Sequence, residues 1–387
     1  MNIDTLRFPH FESPPEVDAL RQEVRAFLAE ELTTVKPVMR SNTWDGVDPA
    51  FSRKLGARGW LGMTLPKTYG GHERSMLERY VVVEETLAAG APVGYHWIAD
   101  RQSGPMVVRL GTEAQKHKIV PAIARGEACF AIGMSEPDSG SDLASVKSRA
   151  EKVPEGWRLN GTKLWTTGAH RANYMIALFR TDSSPDAKHR GLSQFLIDMN
   201  EVSGITPRPI RDLTGRRHFN EVSFVDALLP ADALLGKEGD GWKQVTAELA
   251  YERSGPERYL SCFVLLTELV KILKGGNANA EILAKLGKEI AWATSLRNMS
   301  LSVAGMLSAG QDPSLQASVV KDLGCHFEQR LPGLAQELVE LEPTLAGTGV
   351  DYQQVLGNLM QLAPSFSLRG GTLEILRGII ARGLGVR

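Results

Sequence analysis

Three regimes of hydrophobic spacing follow one another along this chain, and their order limits the possible folds more than any single motif does. Over the first 128 residues apolar side chains recur at helical intervals, as at Ala19, Leu20, Val24, Phe27 and Leu28 within residues 17–32, and again within 76–88 and 113–123. From Ala128 the pattern changes to short β-rich runs at 129–134, 157–159, 163–167, 174–179, 193–197 and 221–225. Turn signals separate them, among them Pro154-Glu155-Gly156 and Asn160-Gly161, a strong hairpin marker. After Pro230 helical spacing returns through 242–273, 281–307, 315–340 and 352–361, with a break at Gly275-Gly276-Asn277. The predicted class is α+β, with an all-α domain at 1–128, a β domain at 129–235 and a helical domain at 236–387. A β layer between helical layers leaves a crevice, where ligands tend to lodge.

Composition agrees with several domains and excludes some functions. A chain of 387 residues exceeds the usual single core, and 43% hydrophobic content suffices to fill more than one. A formal net charge of −1 argues against a nucleic-acid binder. The N-terminal residues carry no basic flank leading into an apolar core, and no run approaches the ~18 apolar residues of a membrane span. A cytoplasmic protein is therefore expected. Cys129, Cys262 and Cys325 lie too far apart to suggest a disulfide framework or a zinc site.

The chemistry concentrates in residues 132–174. The run Ser135-Glu136-Pro137-Asp138-Ser139-Gly140-Ser141-Asp142 is rich in hydroxyls and small residues, so its N–H groups and side chains suit phosphate or carbonyl oxygens. Some twenty residues later comes Gly161-Thr162-Lys163-Leu164-Trp165-Thr166-Thr167-Gly168. Strand alternation would put Trp165 and Thr167 on one face, an aromatic wall beside a hydroxyl that fits a flat heterocycle. Alone, each segment reads more plainly as an Asx or Ser turn and a core tryptophan. Together and in this order they have the chemistry of a flavin site.

With the C-terminal run Gly370-Gly371-Thr372-Leu373-Glu374-Ile375-Leu376-Arg377, these segments resemble the acyl-CoA dehydrogenase family over nearly the whole chain. The ending from Gly378 to Gly385 is similar to the bacterial branch acting on bulky, cyclic or steroid-derived thioesters. The resemblance implies an N-terminal helical domain, a middle β-barrel-like domain and a C-terminal four-helix bundle. It implies FAD as cofactor and α,β-dehydrogenation of an acyl-CoA to the 2-enoyl-CoA, with hydride passing to flavin N5. Matching residue by residue, Met134 falls among the cofactor-binding residues, Ser135 near the pyrimidine end of the flavin and Ser141 at its pyrophosphate. Trp165 then flanks the ring, Thr167 reaches toward N5, and Thr372 and Glu374 touch the FAD of a neighbouring subunit. An electron-transfer flavoprotein is the implied acceptor, and the implied assembly is a homodimer, a homotetramer or a heterotetramer with a related chain.

The reaction needs a base for a weakly acidic α-proton, usually a carboxylate in a dry pocket. The commoner family position holds Gly370 here, which removes no proton. The alternative, on the helix opening the C-terminal domain, holds Glu252, followed by Arg253 at a position used near the CoA moiety. Pro256 lacks the N–H that would bond the Glu252 carbonyl, so a bend beside the base is expected. Where the family carries an arginine for the neighbouring flavin, this chain has the short stretch from Lys274 to Ala280 without one. That departure keeps in view a flavin-sharing or non-catalytic subunit of a heteromeric enzyme, and the shared architecture with His170 keeps a lesser alternative, a monooxygenase or oxidase of the same fold. The room left at Gly370 favours a branched or cyclic acyl group. Tyr95, His96, Trp97, Gln102 and Ser103 are candidate pocket walls.

Overall fold

The computed structural model describes residues 5–11, 14–42, 45–252, 255–276, 278–345 and 347–386, the stretch 248–252 by backbone alone. In chain order the helices are α1 (Pro15–Glu31), α2 (Pro37–Arg40), α3 (Pro49–Ala57), α4 (Met76–Ala88), α5 (Gly104–Leu110), α6 (Glu113–Ala124), α7 (Gly241–Glu252), α8 (Phe263–Gly275), α9 (Ala280–Ser308), α10 (Ser314–Leu338), α11 (Asp351–Leu362) and α12 (Leu373–Gly383). The strands are β1 (Phe130–Gly133), β2 (Arg149–Val153), β3 (Gly156–Lys163), β4 (Tyr174–Arg180), β5 (Leu192–Asp198), β6 (Ile205–Ile210) and β7 (Phe219–Leu229). The order is α, β, α, as the spacing predicts. The chain divides into two compact units, one of residues 1–47, 74–93 and 250–387, the other of 48–73 and 94–249. Among the described residues no helix is long and apolar enough to cross a membrane.

The second unit is built on a curled sheet whose path runs β1-β4-β2-β3-β7-β6, with β5 on β4. Its centre is β4, where Met175, Ile176, Ala177, Leu178 and Phe179 are all buried, as a near-continuous apolar run requires. Trp157, Phe179, Phe195 and Phe224 meet edge to face, with ring centroids 5.1–6.0 Å apart. The polar strands β2 and β6 carry too little apolar alternation to stand out in the sequence. Pro207 and Pro209 sit in β6, which pairs only with β7 and so tolerates residues lacking an N–H.

Asn160-Gly161 does not turn the chain as the hairpin reading expects. Both residues lie inside β3, opposite a bulge where β7 carries an extra residue between Phe224 and Ala227. Asn160 closes that bulge, its carbonyl oxygen accepting the Asp226 N–H at 2.9 Å and its amide donating to the Asp226 carboxylate at 3.0 Å. Gly161 has φ +142°, and an added Cβ would stand 2.2 Å from the Ser148 hydroxyl. Gly161→Ala is therefore expected to lower stability by about 1–3 kcal/mol. Gly140→Ala, where a Cβ meets nothing within 4 Å, should change little. Thermal unfolding followed by circular dichroism compares the two.

In the first unit α4 begins with a Ser75–Glu78 capping box and buries Glu84 and Glu85. Buried carboxylates need cations: Arg21 and Arg297 each reach Glu84 at 2.6 Å, Arg25 reaches Glu85 at 2.7 Å, and Arg21 also pairs with Glu85. The continuous periodicity of 242–273 resolves into two helices. α7 ends at Glu252, Gly255 is extended, a 3₁₀ turn spans Pro256–Arg258, and α8 starts at Phe263. The residue before a proline is driven out of the helical region, so Pro256 ends the helix rather than bending one that continues.

Candidate active site

The first predicted segment leaves β1 at Gly133 and folds back on itself. Glu136 and Ser139 exchange backbone hydrogen bonds of 2.7 and 3.1 Å, closing a tight turn. The Ser139 and Ser145 hydroxyls donate to the Asp142 carbonyl at 2.7 and 2.8 Å. The hydroxyls of Ser135, Ser141 and Thr167, which the resemblance assigns to the cofactor, make no such bond among the described residues. The loop thus bonds the Ser139 and Ser145 hydroxyls to itself and leaves those of Ser135 and Ser141 available, as is that of Thr167 in the second segment.

The second segment corrects an expectation. β3 ends at Lys163, so Trp165 and Thr167 do not share a strand face. Trp157, Leu159 and Lys163 are inward positions of that strand, and continued alternation would bury Trp165 with them. Instead Trp165 adopts φ +58°, which turns the indole out to 56% exposure, edge-on to Phe219 at 6.0 Å. A left-handed tryptophan costs about 1–2 kcal/mol. Hydrogen bonds on either side hold it there: the Leu164 N–H donates to the Ser135 carbonyl at 2.8 Å, and the Thr166 N–H donates to that of Asn220 at 3.0 Å. Strain spent on exposing a flat aromatic is a mark of a ligand wall. Thr167 is half-buried beside it, and the Thr166 hydroxyl is buried with no partner among the described residues. His170 is committed elsewhere, its Nδ1 lying 2.8 Å from the Asn220 amide oxygen. Burial lowers its pKa below the ordinary value.

Between the two segments lies an ion pair that sequence reasoning missed. The Lys163 side chain has 0% exposure and donates to Glu136 at 2.8 Å and to the Met134 carbonyl at 3.2 Å. Glu136 also accepts the N–H groups of Lys147 at 2.6 Å and Ser148 at 3.0 Å. Burial pulls the Lys163 ammonium down to about 8 in spite of Glu136. Burial also works against the Glu136 carboxylate, but Lys163 and the Lys147 amide outweigh it and hold the carboxyl below its usual range. At neutral pH both groups are charged.

Gly370, Thr372, Glu374 and Glu252 belong to the first unit, and the candidate pocket walls from Tyr95 to Ser103 to the second. Gly370 and Gly371 have φ +69° and +95°, a turn that favours glycine. Lys321, pulled down to about 8 by burial, donates to the Gly371 carbonyl at 2.9 Å. Thr372 precedes α12, and Glu374 in its first turn is held below its usual range by its own N–H and the Thr372 hydroxyl. The side chain of Glu252 and all of Arg253 lie outside the described residues. Of the candidate pocket walls, His96 bonds Ser52 through Nδ1 at 2.8 Å, Tyr95 donates to the Glu127 carbonyl at 3.1 Å, and Trp97 is buried.

Three family models match consecutive stretches: the N-terminal domain of acyl-CoA dehydrogenases at residues 14–127, the middle domain at 131–227 and the C-terminal domain at 239–385. The acyl-CoA dehydrogenase IpdE1 of Mycobacterium tuberculosis is 31% identical over 376 residues, covering 95% of this chain and 96% of that protein. The chain belongs to the acyl-CoA dehydrogenase family. It is accordingly a flavoprotein oxidoreductase acting on acyl-CoA thioesters. Acyl-CoA dehydrogenase FadE34 of the same organism is 32% identical over 372 residues, and the chain spans about half, 49%, of its length. Among solved structures, one described as the Tcur3481-Tcur3483 steroid ACAD superposes with a TM-score of 0.85 at 26% identity, covering 97% of this chain and 98% of that one. The exposed indole, the three available hydroxyls and the family's flavin chemistry agree, so the residues present fit FAD.

Proposed function

We propose that this chain is an FAD-dependent acyl-CoA dehydrogenase acting in the cytoplasm on thioesters with a branched or ring-bearing acyl group, with Glu252 as its α-proton base. Its domains are read as 1–128, 129–235 and 236–387. The observation that carries the flavin part is Trp165, held exposed by a strained backbone, together with the Ser135, Ser141 and Thr167 hydroxyls, which have no partner among the described residues. Met134, Ser135, Ser141 and Thr167 would hold the cofactor and Trp165 would wall it, with Thr372 and Glu374 serving the cofactor of a neighbouring copy. FAD, when bound, takes the hydride from the substrate Cβ. The base is assigned by what stands at the two family positions. Gly370 has no side chain, and its left-handed backbone resists one. Glu252 closes α7, and a carboxylate there, once the acyl-CoA has displaced water, gains the basicity to remove the α-proton. Arg253 is read as a contact for the CoA moiety. Substrate class follows from the space left at Gly370 and from the similarity to a steroid enzyme.

A second reading, a subunit that shares its flavin with a related partner, is favoured by one observation. The connection from α8 to α9 runs from Gly275 to Ala280 and contributes no arginine. The similar steroid enzyme has a name that joins two designations. Flavin content of the chain purified alone, followed by anaerobic titration with an acyl-CoA, separates the readings. Stoichiometric FAD that bleaches on titration is expected for the first. Little FAD until a partner chain is added identifies the second. Electrons are proposed to leave to an electron-transfer flavoprotein.

A further inference from the structure

Lys163 is chemically out of place. It sits at an inward position of β3 in register with Trp157 and Leu159, fully buried, with its ammonium 5.0 Å from the centre of the Phe179 ring. Taking an ammonium and a carboxylate out of water costs several kcal/mol per ion, and well-packed apolar residues often replace such pairs without loss of stability. The ammonium's two hydrogen-bond partners indicate what it does instead. One is Glu136, fastened in turn to the N–H groups of Lys147 and Ser148; the other is the carbonyl of Met134. No peptide bond of the described chain is cis. In a trans peptide the carbonyl and the following N–H point in opposite directions. A Met134 carbonyl drawn inward by Lys163 therefore sends the Ser135 N–H the other way, where it has no acceptor among the described residues. The next carbonyl, that of Ser135, is fixed by the Leu164 N–H, one residue past Lys163 in the second segment. The two segments are thus joined at consecutive peptides, and the orientation of the Ser135 N–H, which has no acceptor among the described residues, is set by Lys163.

We propose that Lys163 is a positioning residue for the cofactor: by holding the Met134 carbonyl inward it aims the Ser135 N–H at a carbonyl oxygen of the flavin pyrimidine ring. The assignment rests on the flavin reading above. Glu136 accepts a second hydrogen bond from the same ammonium and has no part in holding the cofactor.

Two variants of the full chain test it, each stripped of flavin and titrated with FAD by fluorescence, with circular dichroism confirming the fold. Glu136→Gln keeps one acceptor oxygen for the Ser148 amide and Lys163, gives up the one that takes the Lys147 N–H, and keeps the bond from Lys163 to the Met134 carbonyl, so its FAD affinity should stay close to that of the wild type. Lys163→Met/Glu136→Gln leaves no buried charge but releases the Met134 carbonyl. Its FAD affinity should fall about tenfold, the effect of one well-aimed hydrogen bond, and the visible spectrum of the bound flavin should shift. If the double variant does not fold, Lys163→Leu/Glu136→Gln, which likewise leaves no buried charge, is read in the same way. A releasing variant that folds and binds FAD with wild-type affinity and spectrum overturns the positioning role and leaves Lys163 a structural residue. A wild-type chain that takes up no FAD, alone or with a partner, overturns the flavin reading itself and this assignment with it.

Discussion

Glu252→Gln is expected to leave FAD bound and to slow its anaerobic reduction by an acyl-CoA about 10²–10⁴-fold, the usual contribution of a positioned base. The substitution preserves shape and removes only proton affinity, so an acyl-CoA should still bind and still perturb the flavin spectrum. That separates loss of chemistry from loss of site. The expectation is large because the chain offers no carboxylate at the commoner family position, where Gly370 and Gly371 both have positive φ. Stopped-flow absorbance at the flavin band reads the rate directly. A reduction rate equal to that of the wild type would remove Glu252 from the reaction and turn attention to the reading in which a partner supplies the base.

The succession of α, β and α regions was legible because each depends on local spacing of apolar residues, which burial enforces. The apolar run of β4 and the capping box of α4 lie plainly in the sequence. What misled were residues whose local signal is overruled by a neighbour distant in sequence. Asn160-Gly161 has the composition of a hairpin turn, yet the same side chain and the same tolerance of positive φ serve to close a bulge on β7. Trp165 lies in phase with the core positions of β3, and only the left-handed turn just past Lys163 places it outside. Lys163 itself was readable. A lysine in register with Trp157 and Leu159 demands a buried anion, and the other segment carries three carboxylates, Glu136, Asp138 and Asp142, of which Glu136 pairs with it. The end of α7 was readable too, since Gly255-Pro256 signals a stop more strongly than a bend.

Arg369→Met should destabilise the chain by about 3 kcal/mol near pH 8, because it removes the stronger of the two cations that oppose burial of the Glu328 carboxylate and leaves the weaker influence of Arg258. Arg369 immediately precedes the glycine that stands at the commoner base position, and its side chain turns inward. Its guanidinium donates to the Ser261 hydroxyl at 3.2 Å, lies 3.7 Å from Glu328, and is centred 4.2 Å from the Phe366 ring. Glu328, 1% exposed on α10, accepts the Ser261 N–H at 2.6 Å, so three stretches of chain converge on it: α10, the strap between α7 and α8, and the turn carrying Gly370. Burial already raises the Glu328 carboxyl above its ordinary 4.5 although Arg369 opposes it. Without Arg369 it rises further. A carboxyl whose folded pKa is raised binds more protons folded than unfolded, so stability falls as pH rises from the unfolded value through the folded one. The loss should therefore be smaller at pH 5, where Glu328 can hold a proton, than at pH 8, and Glu328→Gln added to Arg369→Met should recover much of it. Urea unfolding of both variants at the two pH values decides the matter. Equal losses at pH 5 and pH 8, or no recovery in the double variant, would mean that the cost lies in lost packing on Phe366 and not in the stranded charge.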